Sequence, residues 1–293
     1  MTHFSKLLFA ATILTSYSLS AQADDQTVLQ VQIGIGNNAT ANQQSPLNQS
    51  NLIIQEQIGF YNDAIANQIV EVGSTVAQYQ TGQQHSSEVS QAFGSGNAGQ
   101  SVQIGTNSKS ITFQINQVQG FSLHTQDGQS HFALTIQRLG FNNSIQIQQN
   151  DRLNIATASQ VTNFNGDINI MQTGLLNRVD SHQQGFSHEA SLVQSGGFNN
   201  TSTIQQGNYQ CATTMQTGVD NLIDLAQTGD SNIGSVTQLG FSNGAFLVQS
   251  GSNLKANAGQ FGGFNHVSLW QSGTNQSIDI LQIGVNNQSH IIQ

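Results

Sequence analysis

Gln238-Leu239-Gly240-Phe241-Ser242-Asn243-Gly244-Ala245-Phe246-Leu247-Val248-Gln249 is one full cycle of a pattern that repeats through the chain. With the first glutamine numbered zero, glycine falls at +2, asparagine at +5 and small or apolar residues at +7 and +9. The next glutamine falls at +11. From Gln172 onward the phase is strict: Gln172, Gln183, Gln194, Gln205, Gln216, Gln227, Gln238, Gln249, Gln260, Gln271, Gln282 and Gln293 are each 11 residues apart. All but the last are followed by the glycine: Gly174, Gly185, Gly196, Gly207, Gly218, Gly229, Gly240, Gly251, Gly262, Gly273 and Gly284.

Upstream the rule is looser. Gln57, Gln80, Gln103 and Gln126 are 23 apart and keep the glycine, as Gly59, Gly82, Gly105 and Gly128. An interleaved series, Gln68, Gln91, Gln114 and Gln137, has the same spacing without it. Gln32 and Gln43 begin the series, with Gly34 after the first, and a 14-residue gap holding the lone Pro46 leads to Gln57. Gln148 and Gln160 are expected to bridge the two halves. The result is 24 phased glutamines, or about 12 paired units of 22–23 residues, a repeat architecture.

Composition alone left two classes open. Of 293 residues, 44 are Gln and 30 Asn, against 6 Lys or Arg, 15 Asp or Glu and a single Pro. Such a chain is either a disordered amide-rich tract or a repetitive β-structure built on amide ladders. A compositional bias would not hold an 11-residue phase, so the ordered reading stands. Charge this sparse argues against a rich acid–base active site, and Arg138, Arg152 and Arg178 are too scattered to form a nucleic-acid stripe.

Apolar residues at +7 and +9 alternate with polar ones at +6 and +8, as in Glu189-Ala190-Ser191-Leu192. This period of two is a strand signal that puts +7, +9 and the next glutamine on one face. Gly at +2 and Asn at +5 (Asn37, Asn62, Asn177, Asn199, Asn221, Asn232, Asn243, Asn265, Asn287) tolerate the positive φ of a tight reversal. Each half-repeat is therefore expected to be one strand of about five to seven residues and one turn of about four. Two strands and two turns make a rung, and rungs stack about 4.8 Å apart. The expected fold is all-β: a cross-β solenoid of about 12 two-strand rungs. Position +10 is often apolar (Val193, Ile204, Met215, Val248, Trp270, Leu281, Ile292) and should face outward, either for contact between fibres or as ordinary exposed residues.

A lone rung cannot offset the entropy of ordering its residues, so stability should arrive with neighbours. Gln293 is itself a phased glutamine and only Asp24–Val31 separate a processed terminus from Gln32. Both sheet edges are thus expected to lack caps and to stay open to pairing with other chains. Residues 1–23 read as a secretory signal peptide: Lys6, an apolar run from Leu7 to Leu14, and Ala21-Gln22-Ala23 with cleavage after Ala23. No stretch approaches the length needed to span a bilayer, so the remaining domain, 24–293, is expected to be exported without stable membrane insertion. The single Cys211 excludes a disulfide framework.

No cofactor or metal site is expected. Asp220, Asp224 and Asp230 differ in phase and read as charges that limit sticking. His182 and His188 lack partners at metal-ligand spacing and read as surface histidines. A ligand-binding solenoid would need a matched face such as Thr-x-Thr in every rung; Thr201-Ser202-Thr203 occurs, but one rung later its equivalents are Ile223 and Leu225.

The segments Gln32–Gln43, Gln57–Gln68 and Gln238–Gln249 resemble the curlin repeat, Gln-x-Gly-x-x-Asn-x-Ala-x-x-x-Gln, and partial matches cover nearly all of 30–293. Curlins are subunits of curli, the extracellular amyloid fimbriae of Gram-negative bacteria. The resemblance implies a non-enzymatic, secreted, self-polymerising subunit, with other curlins and the curli secretion and nucleation machinery as partners and roles in adhesion and biofilm. The chain departs from the pattern in three ways. The family's Ser six residues before the repeat glutamine is replaced at Gln26, Asn51 and Asn232. The rungs are unusually many, and no Gly-rich segment precedes the first repeat. Bulk subunit and nucleator both stay open, the acidic final rung with Asp279 favouring the former.

Overall fold

The computed structural model describes residues 26–44 and 49–293. The expected signal peptide, its cleavage point at Ala23, and Pro46 lie outside these. Within them the chain winds as 24 strands into two parallel 12-stranded sheets, odd-numbered strands in one and even-numbered in the other. This is the expected all-β solenoid, each rung contributing one strand to each sheet. Register follows the sequence phase. Strand β13 (Asp167–Leu175) pairs with β15 (Glu189–Gly197), setting Gln172 against Gln194 and Gly174 against Gly196.

Strands are longer and turns shorter than the pattern suggested. Most strands have nine residues, and only two residues separate β13 from β14 (Arg178–Phe186). The reason lies at the +2 glycines, whose φ runs from +109° to +145°. There the backbone bends while still pairing with the next rung, so the glycine belongs to the ladder. The left-handed turn residue is the one at +4, before the asparagine: Leu176 (φ +54°), Phe198 (+57°), Asp220 (+60°), Ser242 (+52°) and Phe264 (+55°). The +5 asparagines do not take positive φ, contrary to expectation; their work is done by the side chain.

The half-repeats without glycine use a second corner. After Gln68, Gln91, Gln114, Gln137 and Gln160, the +2 residue enters the left-handed region as Val70, Phe93, Asn116, Leu139 and Thr162 (φ +50° to +59°). One extra residue then completes the bend, which is why these half-repeats have 12 residues. That column reads Glu71, Gly94, Gln117, Gly140, Asn163. Glu71, Gln117 and Asn163 are fully buried, and the glycines between them leave room: a Cβ on Gly140 would lie 2.7 Å from Gln117 Oε1. Where the corner type changes, between β12 (Ile155–Phe164) and β14, the register shifts between Gln160 and Asn163.

The core lies between the sheets. Ile168, Ile170, Leu192, Ile223, Leu225, Leu247 and Leu269 are buried at the inward positions four and two residues before the next ladder glutamine, which are +7 and +9 in an 11-residue half-repeat. This apolar filling is interrupted over β7 (Ala98–Thr106), β8 (Lys109–Val118), β9 (Phe121–Gln129) and β10 (Phe132–Phe141), where Ser101, Ser110, Thr112, Ser122, His124 and Thr135 point inward. Outward apolar side chains at +10 include Ile204, Met215, Trp270, Leu281 and Ile292, all exposed.

Candidate functional site

Two side-chain ladders run the length of the stack on the inner faces. In the odd sheet each Nε2 donates to the Oε1 one rung ahead. The run passes from Gln32 to Gln57 (2.7 Å), Gln80 (2.8 Å), Gln103 (2.9 Å) and Gln126 (2.8 Å). It continues through Gln149 and Gln172 (both 2.9 Å) to Gln194, Gln216, Gln238, Gln260 and Gln282, at 2.7–3.0 Å. In the even sheet the run is Gln43, Gln68, Gln91, Gln114, Gln137, Gln160, Gln183, Gln205, Gln227, Gln249 and Gln271, at 2.8–3.0 Å. Gln293 ends the chain after β24 (Gln288–Ile292), where its backbone N–H donates to Trp270 O (2.9 Å).

Gln149 corrects the sequence reading. Gln148 points outward and is exposed, whereas Gln149 alternates with buried Ile145 and Ile147 and pairs with Gln126 and Gln172. Three glutamines stand close together at 146, 148 and 149, and only the 23-residue step from Gln126 singles out the right one. A short third ladder, Gln30 to Gln55 (2.6 Å) to Gln78 (2.8 Å), is hidden from the period because it fills the inward position two before the ladder glutamine, normally held by an apolar residue.

Most ladder amides use their second hydrogen on a backbone carbonyl as well: Gln194 Nε2 reaches Arg178 O (2.9 Å) and Gln216 Nε2 reaches Asn200 O (3.0 Å). The buried amides are thereby satisfied along the axis and across it, as burial of so polar an interior requires. All the donors point the same way, from a rung toward its C-terminal neighbour.

At the corners the asparagines form a further ladder. Asn199 Oδ1 accepts the Asn221 backbone N–H (3.2 Å), and Asn221 Oδ1 accepts that of Asn243 (3.1 Å). The same link joins Asn243 to Asn265 and Asn265 to Asn287 (3.1 Å each), and Asn177 to Asn199 (3.1 Å). Except at Asn287 in the last rung, each Nδ2 caps a carbonyl one rung ahead, as Asn199 does to Gly218 O and Asn221 to Gly240 O. Asn37 and Asn62 do this at the N-terminal end, reaching Gly59 O and Gly82 O.

The glycines beneath them have no room for a side chain. A Cβ on Gly34, Gly59, Gly174, Gly196, Gly218, Gly240 or Gly262 would stand 1.8–2.0 Å from the carbonyl oxygen of the glycine one rung on. At Gly284, in the last rung, that overhead neighbour is missing.

Histidines take the asparagine's place in three corners. His188 Nε2 lies 3.0 Å from Gln184 O, and its Nδ1 accepts the Gln210 backbone N–H at 3.4 Å. His85 and His131 make equivalent contacts, to Thr81 O and Ser108 N and to Asp127 O and Asn154 N. The ring thus copies both functions of the amide, which requires it to be neutral with the proton on Nε2. Burial lowers the pKa of all three. His188 is therefore a buried structural residue and not the surface histidine expected. His124 lies inside the core between Ser110 Oγ (2.7 Å) and Thr135 Oγ1 (2.6 Å), its pKa lowered to about 3 by full burial.

Thr201 and Thr203 are buried too, bonded to Gln216 Oε1 and Ser181 Oγ, so they offer no exposed Thr-x-Thr face. Among the described residues no cluster of three metal-ligating side chains occurs.

At both ends of the stack the ladder positions are laid out as in its interior. The first rung, β1 (Thr27–Ile35) and β2 (Asn38–Gln44), and the last, β23 (Ser277–Val285) and β24, are the sheet edges. Ile278 and Ile280 pack on the core from one side only and stay partly exposed.

These features define a parallel two-sheet β-solenoid whose axial contacts are amide ladders. Residues 218–251 and 229–262 match the model of the curlin associated repeat, so this part of the chain is similar to that repeat, in support of the resemblance read from the sequence. No curated protein shows significant similarity to the chain. Repeat and fold are of a structural rather than an enzymatic kind.

Proposed function

We propose that the chain is a structural subunit of a curli-like extracellular fibre, which copies build by stacking end to end. The observation that carries this reading is the one-way ladder. The first rung presents the acceptor oxygens of Gln32 and Gln43, and the last rung continues the donor sense through Gln282. One end is thus chemically complementary to the other, the condition for a heterologous, open-ended contact. The unfilled space above Gly284, the half-covered Ile278 and Ile280, and the strand edges left unpaired among the described residues are what a next copy would cover. Secretion, cleavage after Ala23, a place on the cell surface, adhesion, and dealings with other curlins and their export machinery follow from the family resemblance as part of the same proposal. The ladders would serve assembly and no chemistry.

The test is incubation of residues 24–293 followed by electron microscopy and fibre diffraction. Fibres with a meridional reflection at about 4.7–4.8 Å are expected; persistent monomers without it would sink the reading. Charges on the terminal rung, as in Ile280→Lys with Ile291→Lys, should stop elongation while circular dichroism stays that of a β-protein.

A further inference from the structure

The outer face of the even sheet carries a notch that the ladder function leaves unused. It spans β16 (Asn200–Asn208), β18 (Leu222–Asp230), β20 (Gly244–Ser252) and β22 (His266–Thr274). Register sets Ile204, Ala226, Val248 and Trp270 in one outward column and Ser202, Asp224, Phe246 and Ser268 in the next. Ala226 is the small member of its column and leaves a cavity of about 290 Å³, mostly apolar, bounded by Ile204, Val248, Phe246 and Trp270 with Asp224 at its side.

Asp224 has no hydrogen bond or ion pair among the described residues, and half-burial raises its pKa. Asp180, two rungs earlier in the same column, is neutralised by Arg178 at 2.8 Å. The notch thus joins an uncompensated carboxylate to two aromatic rings and a methyl-lined floor. Asp224 and Trp270 lie two rungs apart, about 9–10 Å along the axis, with Phe246 and Val248 on the rung between, and all four line the same cavity. A carboxylate beside aromatic faces attracts a weakly hydrated cation with an apolar shell.

We propose that this notch is a binding site for a small quaternary ammonium ligand, its charged head between Asp224 and the rings of Phe246 and Trp270 and its methyl groups over Ala226. Trp270 is the only tryptophan of the chain, so its fluorescence reports the site directly. Folded protein is titrated at constant ionic strength with choline and, separately, with 3,3-dimethylbutan-1-ol, its uncharged isostere. A saturable change with choline is expected, half-complete on the order of 1 mM, with the alcohol about tenfold weaker. Asp224→Asn should weaken choline about tenfold, and Ala226→Leu, which fills the floor from the solvent side, should abolish the response. Asp279→Asn removes the same charge from the outer face of the opposite sheet and should change nothing. The proposal is overturned by an absent or non-saturable response, by equal responses to choline and the alcohol, or by equal weakening in Asp224→Asn and Asp279→Asn.

Discussion

Gln216 shows how much one side chain can hold. Its Oε1 accepts from Gln194 and from Thr201 Oγ1, and its Nε2 donates to Gln238 and to Asn200 O. Gln216→Leu keeps the volume but strands buried donors and acceptors in two neighbouring rungs, at roughly 1–3 kcal/mol for each unsatisfied group. A clear fall in the denaturation midpoint is the expected outcome. Gly240→Ala should be worse: φ there is +132° and the new methyl would stand 1.8 Å from Gly262 O, so the local stack must open. Circular dichroism during urea unfolding would rank the two. The phase of Gln216 and Gly240 was legible in the sequence because both are fixed by period. The duty of the asparagines was misplaced, since a residue that tolerates a turn looks the same as one whose side chain caps it.

Among the strands and corners, two features depend on what fills a position rather than on its phase. The first is the neutral histidine corner. An unfolded histidine titrates near 6.5, and burial holds His85, His131 and His188 below that. Below about pH 6.5 the unfolded chain therefore binds more protons, and stability is lost as pH falls; protonation at Nδ1 also destroys the acceptor for the next rung's N–H. For His131 the nearby Asp127 and Asp151 soften the effect. Glu71 acts in the opposite sense: burial lifts its pKa above 4.5, so the folded chain takes up its proton more readily and gains relative stability there. The histidines outnumber it. Replacing all three by asparagine should make the decline of the thermal midpoint between pH 7 and 5 shallower, leaving the part that buried His124 contributes; an unchanged slope would remove the corners as a cause.

The second feature is the polar interior of β7–β10. Serine, threonine and histidine there contribute less burial energy than the isoleucines and leucines of β13–β20. Hydrogen exchange should be faster in β7–β10, marking the stack's weakest section. The sequence did not disclose this section, because serine and threonine at +7 and +9 keep the strand alternation while changing what the core contains. The two corner types were half visible. The missing glycine and the 12-residue spacing could be counted, but only the backbone shows that a left-handed residue plus one inserted residue replaces a glycine.

For the whole molecule, the legible part is the number of rungs and their parallel stacking, both set by the repeat count. The sense of the ladders was not legible, since an amide has no direction until its neighbours are placed. The winding also has a mechanical meaning. The N-terminal rung and the C-terminal rung lie at opposite ends of the axis, so a force applied to the two ends meets the molecule as thread on a spool. Tension strips a terminal rung while those beneath it remain wound. Each event frees 22 or 23 residues, 25 for the first rung, or about 75 Å of slack. Pulled singly, the protein should pay out in nearly even steps of that length, and the lowest forces should come when the unwinding front reaches His124 and its hydroxyl neighbours.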